Sequence, residues 1–297
     1  DGLVGAIGTA ASSTLARLVL GHQRPTEGSV RFNGQKMSPA SPAPPRLATN
    51  SARRSRLIYQ DPYGCFDSRM PVINQVAEPL VVHRGLSKED ALKEAAKVLK
   101  AVGMPEHHMT RLPATMSGGQ LQRAAIARAV ALRPALLACD EPVASLDVSI
   151  QAQVLELLLR LKRATRMSML FVSHNLNVVR YLCDRVTVMY LGRIVETGKT
   201  DDVFHRPLHP YTRLLLASTP GADASVVRFY PKGAMPSPID RPEGCVFANR
   251  CPLATDRCSR EVPELTDVKG EERRIACWAS ENALKSLGKM EETECSR

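Results

Sequence analysis

Three short apolar runs alternate with helical patterns, and this alternation limits the fold more than any other feature of the chain. The runs cover residues 135–139, 169–172 and 186–191, and helical patterns occupy 149–163 and 175–183 between them. Strands that alternate with helices form a mostly parallel sheet, because each helix carries the chain back to the same starting edge. The sequence therefore predicts an α/β fold whose strands end at one common edge.

Similar patterns extend this framework toward the N-terminus. Residues 1–7 are expected to end a buried strand, and residues 12–21 to form the helix after it. Residues 87–102 predict a further helix, with Ser87 as N-cap in an S-x-x-D box and Gly103 as its stop. No run reaches the 18 apolar residues that would predict a transmembrane helix.

The composition changes from about residue 205. Prolines and glycines become frequent, apolar runs shorten, and five of the eight cysteines follow residue 240. We therefore expect a domain boundary near residue 220, with residues 1–220 as one domain and 221–297 as a smaller extension. In a chain without secretion signals, such clustered cysteines favour a metal site over disulfides.

The net charge of +10 has two interpretations. One is a surface for nucleic acid or anionic membrane, and the other is an ordinary solvated basic surface. The lysines and arginines are spread along the chain, and only 4% of the residues are aromatic. Because base stacking needs aromatic side chains, we favour the solvated surface and expect no nucleic-acid partner.

An apolar run that ends in two carboxylates is the first motif with chemical content. ALLACDEP (135–142) places Asp140 and Glu141 at the carboxyl end of a strand, where ligands of open α/β sheets bind. There Asp140 can hold Mg²⁺ through water, and Glu141 can polarise an attacking water molecule. Solvated acids at a strand end are the alternative, so this motif alone does not decide.

A glycine pair before a helical pattern is the second motif. Ser117-Gly118-Gly119-Gln120 precedes LQRAAIARAVAL and lies about 20 residues before the Asp140 strand end. Glycines let the backbone approach a ligand, and the free amides of a helix start point at an anion. A simple capping turn is the alternative. The position just ahead of the two carboxylates favours a phosphate site.

Polar residues follow two further apolar runs, Gln60 after LIY and His174 after LFVS. In this order and spacing, SGGQ, CDEP, ASLD (144–147) and the His174 strand resemble the ATP-binding subunit of an ABC transporter over roughly residues 2–220. The resemblance implies a P-loop NTPase-like nucleotide-binding domain that uses ATP and Mg²⁺. It also implies a helical subdomain at about 70–130 and missing N-terminal strands.

The resemblance assigns a role to each motif residue. Gln60 is the Q-loop residue that contacts Mg²⁺ and the membrane subunit, Glu141 is the general base, and His174 is the switch histidine. Asp140 is the metal-side acid, and Asp147 is the D-loop acid. The signature that caps the γ-phosphate across a dimer consists of Ser117, Gly118, Gly119 and Gln120. The ASLD and HN sequences stand where SALD and HD are usual.

The phosphate loop departs from the family pattern GxSGSGKST. Aligned on Thr14, Ser13 falls on the Mg²⁺-binding hydroxyl, and Ser12 falls on the lysine that contacts the β- and γ-phosphates. Gly5 then lies one residue too far upstream, so the loop contains an insertion that shifts its amides. We therefore expect this loop, to which Gly8 also belongs, to bind MgATP weakly or not at all.

A frame-scrambled gene would explain this loop. GESGSGKST written in GC-rich codons translates as GAIGTAASST after compensating single-base insertions, and GAIGTAASST is the text of residues 5–14. The loop would then result from gene decay or from a base-calling error. The missing N-terminal strands fit decay. A non-functional gene product or a scaffold subunit is therefore the alternative to a working ATP-binding subunit.

The C-terminal segment indicates which group of ABC transporters the chain resembles. RPLHPYT (206–212) and EGCVFANRCP (243–252) resemble the tail of dipeptide and oligopeptide importers. Four thiolates suit zinc or an iron–sulfur cluster, and their spacing does not choose between them. Because some dipeptide importers with a similar tail carry a [4Fe–4S] cluster, we favour a cluster over Zn²⁺ or no metal. The candidate ligands are Cys245, Cys251, Cys258 and Cys277.

The resemblance as a whole implies the ATP-binding subunit of a bacterial peptide importer whose own ATP site is impaired. Such a subunit lies on the cytoplasmic side of the inner membrane. Its partners are two membrane-spanning permease subunits, a second ATP-binding subunit and, through the complex, a periplasmic peptide-binding protein. A soluble nucleic-acid-binding member of the ABC class is a third hypothesis, which the HPYT tail disfavours.

Overall fold

The computed structural model describes residues 2–5, 11–32, 34–36, 55–165, 167–219 and 241–279, together with Pro231, Gly233 and Pro236. Its strands are β1 (Gly2–Gly5), β2 (Arg31–Phe32), β3 (Gln35–Lys36), β4 (Ser55–Ile58), β5 (Leu136–Asp140), β6 (Ser168–Ser173), β7 (Arg185–Tyr190), β8 (Arg193–Lys199), β9 (Thr266–Asp267) and β10 (Arg274–Ile275). Its helices are α1 (Ala11–Val19), α2 (Val72–Arg84), α3 (Lys88–Ala101), α4 (Glu106–Met109), α5 (Gly118–Val130), α6 (Val148–Thr165), α7 (Leu176–Leu182), α8 (Thr200–His205), α9 (Pro210–Ala217) and α10 (Asp256–Arg260).

The chain forms two compact units. One consists of residues 13–172, and the other combines residues 1–12 with residues 173–297. The boundary expected near residue 220 lies outside the described residues and stays a prediction. Within the described part of the chain, no helix combines the length and the apolar character needed to cross a membrane.

The unit of residues 13–172 contains the parallel sheet that the sequence predicted. β4, β5 and β6 run parallel in that order, and Asp140 at the end of β5 pairs with Val172 of β6. β5 is buried along its whole length, as is usual for a parallel strand covered on both faces. Leu20, directly after α1, packs with Ala138 of β5 in the core of this sheet.

The predicted helix over residues 87–102 is confirmed as α3. The Ser87 hydroxyl accepts the backbone N–H of Asp90 at 3.1 Å, which is the expected N-terminal cap. Gly103 follows the end of the helix with φ +79°, a conformation that glycine adopts without strain. The buried side chains of this helix are Ala91, Ala95 and Leu99.

The second unit contains a mixed sheet. β1 runs parallel to β7, and β8 runs antiparallel to β7. The C-terminal segment adds the short strand β10 to the free edge of β8, and β9 pairs with β10. These two-residue strands agree with the short apolar runs of the C-terminal sequence. The C-terminal segment therefore continues the sheet to which β8 belongs.

A buried ion pair holds the C-terminal segment against β8. The side chains of Arg273 and Glu196 are both fully buried, and Arg273 Nε donates to the Glu196 carboxylate at 3.1 Å. The same carboxylate accepts the backbone N–H groups of Leu208 and His209, each at 3.0 Å. Arg273 also donates to the carbonyl of Arg206 at 2.6 Å. Several hydrogen bonds thus satisfy each charge, which is the condition for a buried pair to be tolerated.

Removing one partner of this pair is expected to destabilise the protein strongly. Arg273→Met leaves the Glu196 carboxylate buried without its counter-ion, so the free energy of unfolding should fall by about 3–5 kcal/mol. Lys199→Met is the matched control, because the Lys199–Glu272 pair is exposed at 3.3 Å and such pairs contribute about 0–1 kcal/mol. Urea unfolding measures both variants, and equal losses would contradict the prediction.

Candidate functional site

The strand-end carboxylate of Asp140 lies beside the start of α1. Ser13 Oγ donates a hydrogen bond to Asp140 Oδ1 at 2.9 Å. Burial raises the pKa of the Asp140 carboxyl, and the hydrogen bond from Ser13 acts in the opposite direction. Hydroxyl and carboxylate oxygens are the hard ligands that Mg²⁺ prefers. The structure thus brings together the two residues for which the sequence predicted a shared role in metal binding.

Glu141 has an unusual backbone conformation at the end of β5. Its φ of +46° lies in the left-handed region, which costs a non-glycine residue about 1–2 kcal/mol. Its N–H donates to the carbonyl of Val172 at 2.9 Å, and its carbonyl accepts the N–H of Ala144 at 3.1 Å. These bonds hold the strained residue in place. Strain of this kind is common at functional sites, and the sequence predicted the general base here.

The signature residues form a reciprocal capping box at the start of α5. The Gln120 N–H donates to Ser117 Oγ at 3.4 Å, and the Ser117 N–H donates to Gln120 Oε1 at 3.1 Å. The Gln120 amide nitrogen also lies 3.1 Å from His108 Nδ1. Ser117 is exposed to solvent. The first turn of α5 is therefore ordered and open, as a turn that contacts a ligand or a partner must be.

The two signature glycines differ in the space around them. A Cβ on Gly119 would lie 2.5 Å from Cγ2 of Ile150, whereas a Cβ on Gly118 would lie 3.4 Å from Leu146. Packing of α5 against α6 therefore explains the glycine at position 119. Packing within this chain does not require the glycine at position 118. A bare backbone there permits close approach of an external group.

The Gln60 segment is joined to both neighbouring motifs. The Ser145 hydroxyl of ASLD donates to the Gln60 carbonyl at 3.4 Å. The Tyr63 hydroxyl donates at 3.3 Å to the carbonyl of Met116, directly before the signature. Tyr63 is held by Asp61, whose carboxylate accepts its N–H at 2.9 Å. The Q-loop segment, the signature and the ASLD loop are therefore connected within one unit.

The connecting residues Tyr63 and Ser145 were not identified from the sequence. The D-P-x-G pattern around Tyr63 signals a turn, and a turn after a strand could have indicated an ordered loop. Nothing in the local sequence of Ser145 distinguishes it from other exposed serines. Both residues act through contacts with positions far along the chain, which local patterns do not reveal.

The remaining motif residues lie at helix starts. His174 directly follows β6 and is exposed, and Asn175 caps α7. Asn175 Oδ1 accepts the N–H groups of Asn177 at 3.1 Å and Val178 at 3.4 Å. Asparagine caps helices about as well as the aspartate usual at this position, so this departure leaves the helix start intact. Asp147 is exposed directly before α6.

The phosphate loop is described only in part. Gly5 ends β1 and pairs with Met189 of β7, while Ser12 and Thr14 lie in α1. Gly8 lies outside the described residues, and so does the side chain of Ser12. The expected weak binding of MgATP by this loop stays a prediction, and so do the roles assigned to the motif residues.

The four cysteines of the C-terminal segment line one small cavity, together with side chains of the HPYT segment and of the residues around Trp278. Burial raises the pKa of the Cys251 thiol to about 12 and that of Cys277 to about 11, and the neighbouring thiols add to the effect. Among the described residues, no group of three or more His, Cys, Asp or Glu is arranged to hold a metal ion. The thiols therefore converge on one cavity without forming a site for a single ion.

His209 and Trp278 line the same cavity and were not identified from the sequence as cavity residues. His209 Nδ1 accepts the backbone N–H of Tyr211 at 3.0 Å and so caps α9. Complete burial lowers the pKa of His209 to about 3, so its ring is neutral at neutral pH. Trp278 is the only tryptophan of the chain, and the Arg257 guanidinium lies 4.4 Å from its ring centre.

Comparison with known families identifies both parts of the chain. Residues 2–144 match the ABC transporter family, and residues 195–258 match the C-terminal region of oligopeptide/dipeptide transporters. The di/tripeptide transport ATP-binding protein of Pseudomonas aeruginosa is 43% identical over 274 residues, which cover 92% of this chain and 83% of that protein. A putative peptide import ATP-binding protein of Brucella ovis is also 43% identical, covering 90% of this chain and 84% of that protein.

Solved structures share the fold. The cbiO1 protein of Clostridium perfringens, part of the ABC transporter complex cbiONQ, matches with a TM-score of 0.60 and 25% identity, covering 69% of this chain and 80% of that one. A dimeric ATP-binding cassette with bound ADP and phosphate matches with a TM-score of 0.57 and 26% identity, covering 67% and 84%. The strand-end acids and the capped signature thus define an ABC-type nucleotide-binding domain. The chain belongs to the family of ATP-binding subunits of peptide ABC importers.

Alanine substitution tests the different environments of the two signature glycines. Both lie in the first turn of α5, so alanine gains similar helix propensity at either position, up to about 1 kcal/mol. Gly118→Ala is expected to be neutral or stabilising. Gly119→Ala is expected to lower the free energy of unfolding by about 1–3 kcal/mol, because its methyl group overlaps Ile150. Urea unfolding compares the two, and equal stabilities would contradict the packing argument.

Proposed function

We propose that this chain is an importer subunit with a functional signature and an impaired phosphate loop. Its signature serves ATP bound by a second ATP-binding subunit, while its own phosphate loop binds MgATP poorly. One observation carries the proposal, namely the contrast between the ordered capping box of Ser117 and Gln120 and the serine at position 12. A serine hydroxyl cannot replace the positive charge that the family lysine brings to the β- and γ-phosphates.

Two further observations support an incomplete site rather than an unrelated one. The hydrogen bond between Ser13 and Asp140 keeps a hydroxyl and a carboxylate together for Mg²⁺. Glu141 is held at the end of β5 by backbone bonds despite its positive φ. The groups for binding Mg²⁺ and polarising water are therefore present, whereas the lysine that would attract the triphosphate is missing.

The proposed assembly follows from the family. The subunit lies on the cytoplasmic side of the inner membrane, with two permease subunits, a second ATP-binding subunit and a periplasmic peptide-binding protein as partners. The family gives Gln60 a contact with the permease. The bond from Tyr63 to the Met116 carbonyl supports coupling, because it links the Gln60 segment to the start of the signature.

A non-functional gene product or a scaffold subunit is the second candidate. Residues 5–14 favour it, because they match a frame-scrambled version of the family loop. Resequencing the gene separates error from decay. A corrected sequence that reads GESGSGKST would restore an ordinary ATP site and remove the reason for proposing an impaired one.

A nucleotide titration tests the impaired loop. The chain as written is compared with a variant in which GESGSGKST replaces residues 5–14. We expect the chain as written to bind MgATP at least about tenfold more weakly, since one charge-assisted contact contributes about 1.5–3 kcal/mol. A third protein, with alanine for the lysine of the rebuilt loop, should bind as weakly as the chain as written. Equal affinity of the chain as written and the rebuilt chain would refute the proposal.

We also propose that the four-cysteine cavity holds a [4Fe–4S] cluster. The support for this proposal is the donor set, because four thiols line one small cavity and thiolates are the usual ligands of iron–sulfur clusters. When bound, such a cluster supplies iron–thiolate cross-links and a redox centre.

Local packing supports a built site. A Cβ on Gly244 would lie 2.3 Å from the carbonyl oxygen of Cys258, so glycine is needed where the two ligand segments meet. The Cys245 N–H donates to that carbonyl at 2.7 Å. The raised pKa values of Cys251 and Cys277 mean that a cation must compensate the thiolates, since burial alone favours the neutral thiols.

Anaerobic incubation with iron and sulfide tests the cluster. Iron and sulfide should bind in equal amounts, and the fluorescence of Trp278 should fall because its ring lines the cavity. Cys251→Ser should reduce uptake strongly. Cys65→Ser is the control, since Cys65 lies in the Q-loop segment and bonds to the Asp61 carbonyl. Uptake of zinc in preference to iron and sulfide would contradict the proposal.

A further inference from the structure

We infer that His108 is a positioning residue for the signature. Its ring accepts a hydrogen bond from the Gln120 side chain and so holds that side chain in the capping box at the start of α5. The contact lies within the unit of residues 13–172, where His108 Nδ1 is 3.1 Å from Gln120 Nε2. The inference deepens the function proposed above, on which its effect on ATP turnover rests.

The orientation of the Gln120 amide follows from its other contact. Gln120 Oε1 accepts the backbone N–H of Ser117 at 3.1 Å. If the amide oxygen and nitrogen were exchanged, two donors would face each other at Ser117, so Nε2 must be the atom beside His108. An amide NH2 group only donates, and Nδ1 of His108 therefore accepts. In a neutral ring the proton then lies on Nε2, whereas a doubly protonated ring offers Gln120 no acceptor.

The surroundings of His108 favour the neutral ring. Burial lowers the pKa of His108, and the positive charges of Arg111 and of protonated His107 lower it further. Two further cations on the neighbouring helices are engaged by other groups, namely Lys100 by Glu106 at 2.8 Å and Arg123 by the Val102 carbonyl at 2.7 Å. His108 is therefore neutral at neutral pH and takes up a proton only below the usual range of histidine.

The backbone around His108 keeps the ring beside Gln120. The carbonyl of His108 accepts the N–H of Arg111 at 3.1 Å, and the carbonyl of Arg111 accepts the N–H of Val72 at the start of α2, also at 3.1 Å. The side chain of Met109 is buried. Because α4 is anchored by these contacts, His108 restrains Gln120 instead of following its movements.

The expected consequence is that acid disorders the signature. Once Nδ1 of His108 carries a proton, two donors face each other and the Gln120 side chain must turn away. The Ser117 N–H then loses its acceptor, and the first turn of α5 loses its cap. A residue that only filled space beside Gln120 would give no such pH dependence.

Nuclear magnetic resonance of the full ¹⁵N-labelled chain tests the bond without substitution. At neutral pH, His108 should be protonated on Nε2 alone. As the ring titrates, solvent exchange of the Ser117 N–H, corrected for the intrinsic effect of pH, should become about two- to tenfold faster, which is the size expected for one hydrogen bond. A proton on Nδ1 at neutral pH, or exchange that does not follow the titration, would overturn the inference.

Gln120→Glu tests the direction of the bond. Glutamate is a usual partner in a capping box, so the cap is kept. Its second oxygen replaces the donor beside His108 by an acceptor, so the neutral ring should move its proton to Nδ1 and the pKa of His108 should rise. A proton that stays on Nε2 would contradict the inference. His107→Asn, at the exposed neighbouring position, is the control and should leave the exchange of the Ser117 N–H unchanged.

ATP turnover tests the effect on function. It is measured in the chain whose residues 5–14 are rebuilt as GESGSGKST, because the signature of one copy can then serve the loop of another. His108→Leu removes the acceptor and should lower kcat about two- to tenfold at neutral pH. His108→Asn keeps an oxygen in the place of Nδ1 and should retain kcat. As the pH falls through the pKa of His108, the rebuilt chain should lose activity relative to the Asn variant, since the two share all other titrating groups.

The outcomes separate this inference from the proposed function. Equal kcat values of the rebuilt chain and its His108→Leu variant would overturn the positioning role. Absence of turnover by the rebuilt chain would instead overturn the proposed working signature. In that case the resonance measurements on His108 and Ser117 still decide whether the hydrogen bond holds the capping box.

Discussion

The complete burial of β5 is the constraint on which the nucleotide site depends. A strand covered on both faces can accept polar side chains only near its end, so Asp140 is the last, still buried residue of β5 and Glu141 is the first partly exposed one. The chain must turn there at once, and Glu141 adopts a positive φ in that turn. Ser13 approaches from α1, which packs on the same sheet, and bonds to Asp140. The acidic half of the site is therefore a consequence of how the core is packed.

The missing lysine matters more in this setting than it would on an open surface. Asp140 and Glu141 place two carboxyl groups at the strand end, and both repel a triphosphate unless a cation lies between. Mg²⁺ can neutralise part of this charge, but it must arrive with the nucleotide and lose water to bind. A fixed ammonium group avoids that requirement. In the proposed assembly the signature of this chain has no such conflict, because the nucleotide it would contact is bound by the loop of another subunit.

The sequence predicted the helices and strands well, but it did not predict the side-chain contacts between residues that lie far apart along the chain. The apolar run 169–172 became β6 (Ser168–Ser173), and the cap and stop of α3 were found where Ser87 and Gly103 indicated. Those features depend on neighbouring residues. The bond from Tyr63 to Met116 and the ion pair of Glu196 with Arg273 join positions 53 and 77 residues apart. No periodicity marks such partners, since each is defined only after the chain has folded.

Glu196 explains how the C-terminal segment is integrated into its structural unit. Its carboxylate lies on β8, receives the N–H groups of the HPYT segment and pairs with Arg273 next to β10. His209 connects this network with the cysteine cavity. Its backbone N–H donates to Glu196, and the residue also lines the cavity. From β8 the ladder continues to β7 and then to β1, where Gly5 begins the phosphate loop. Neighbouring strands of one sheet therefore connect Glu196 with the start of that loop.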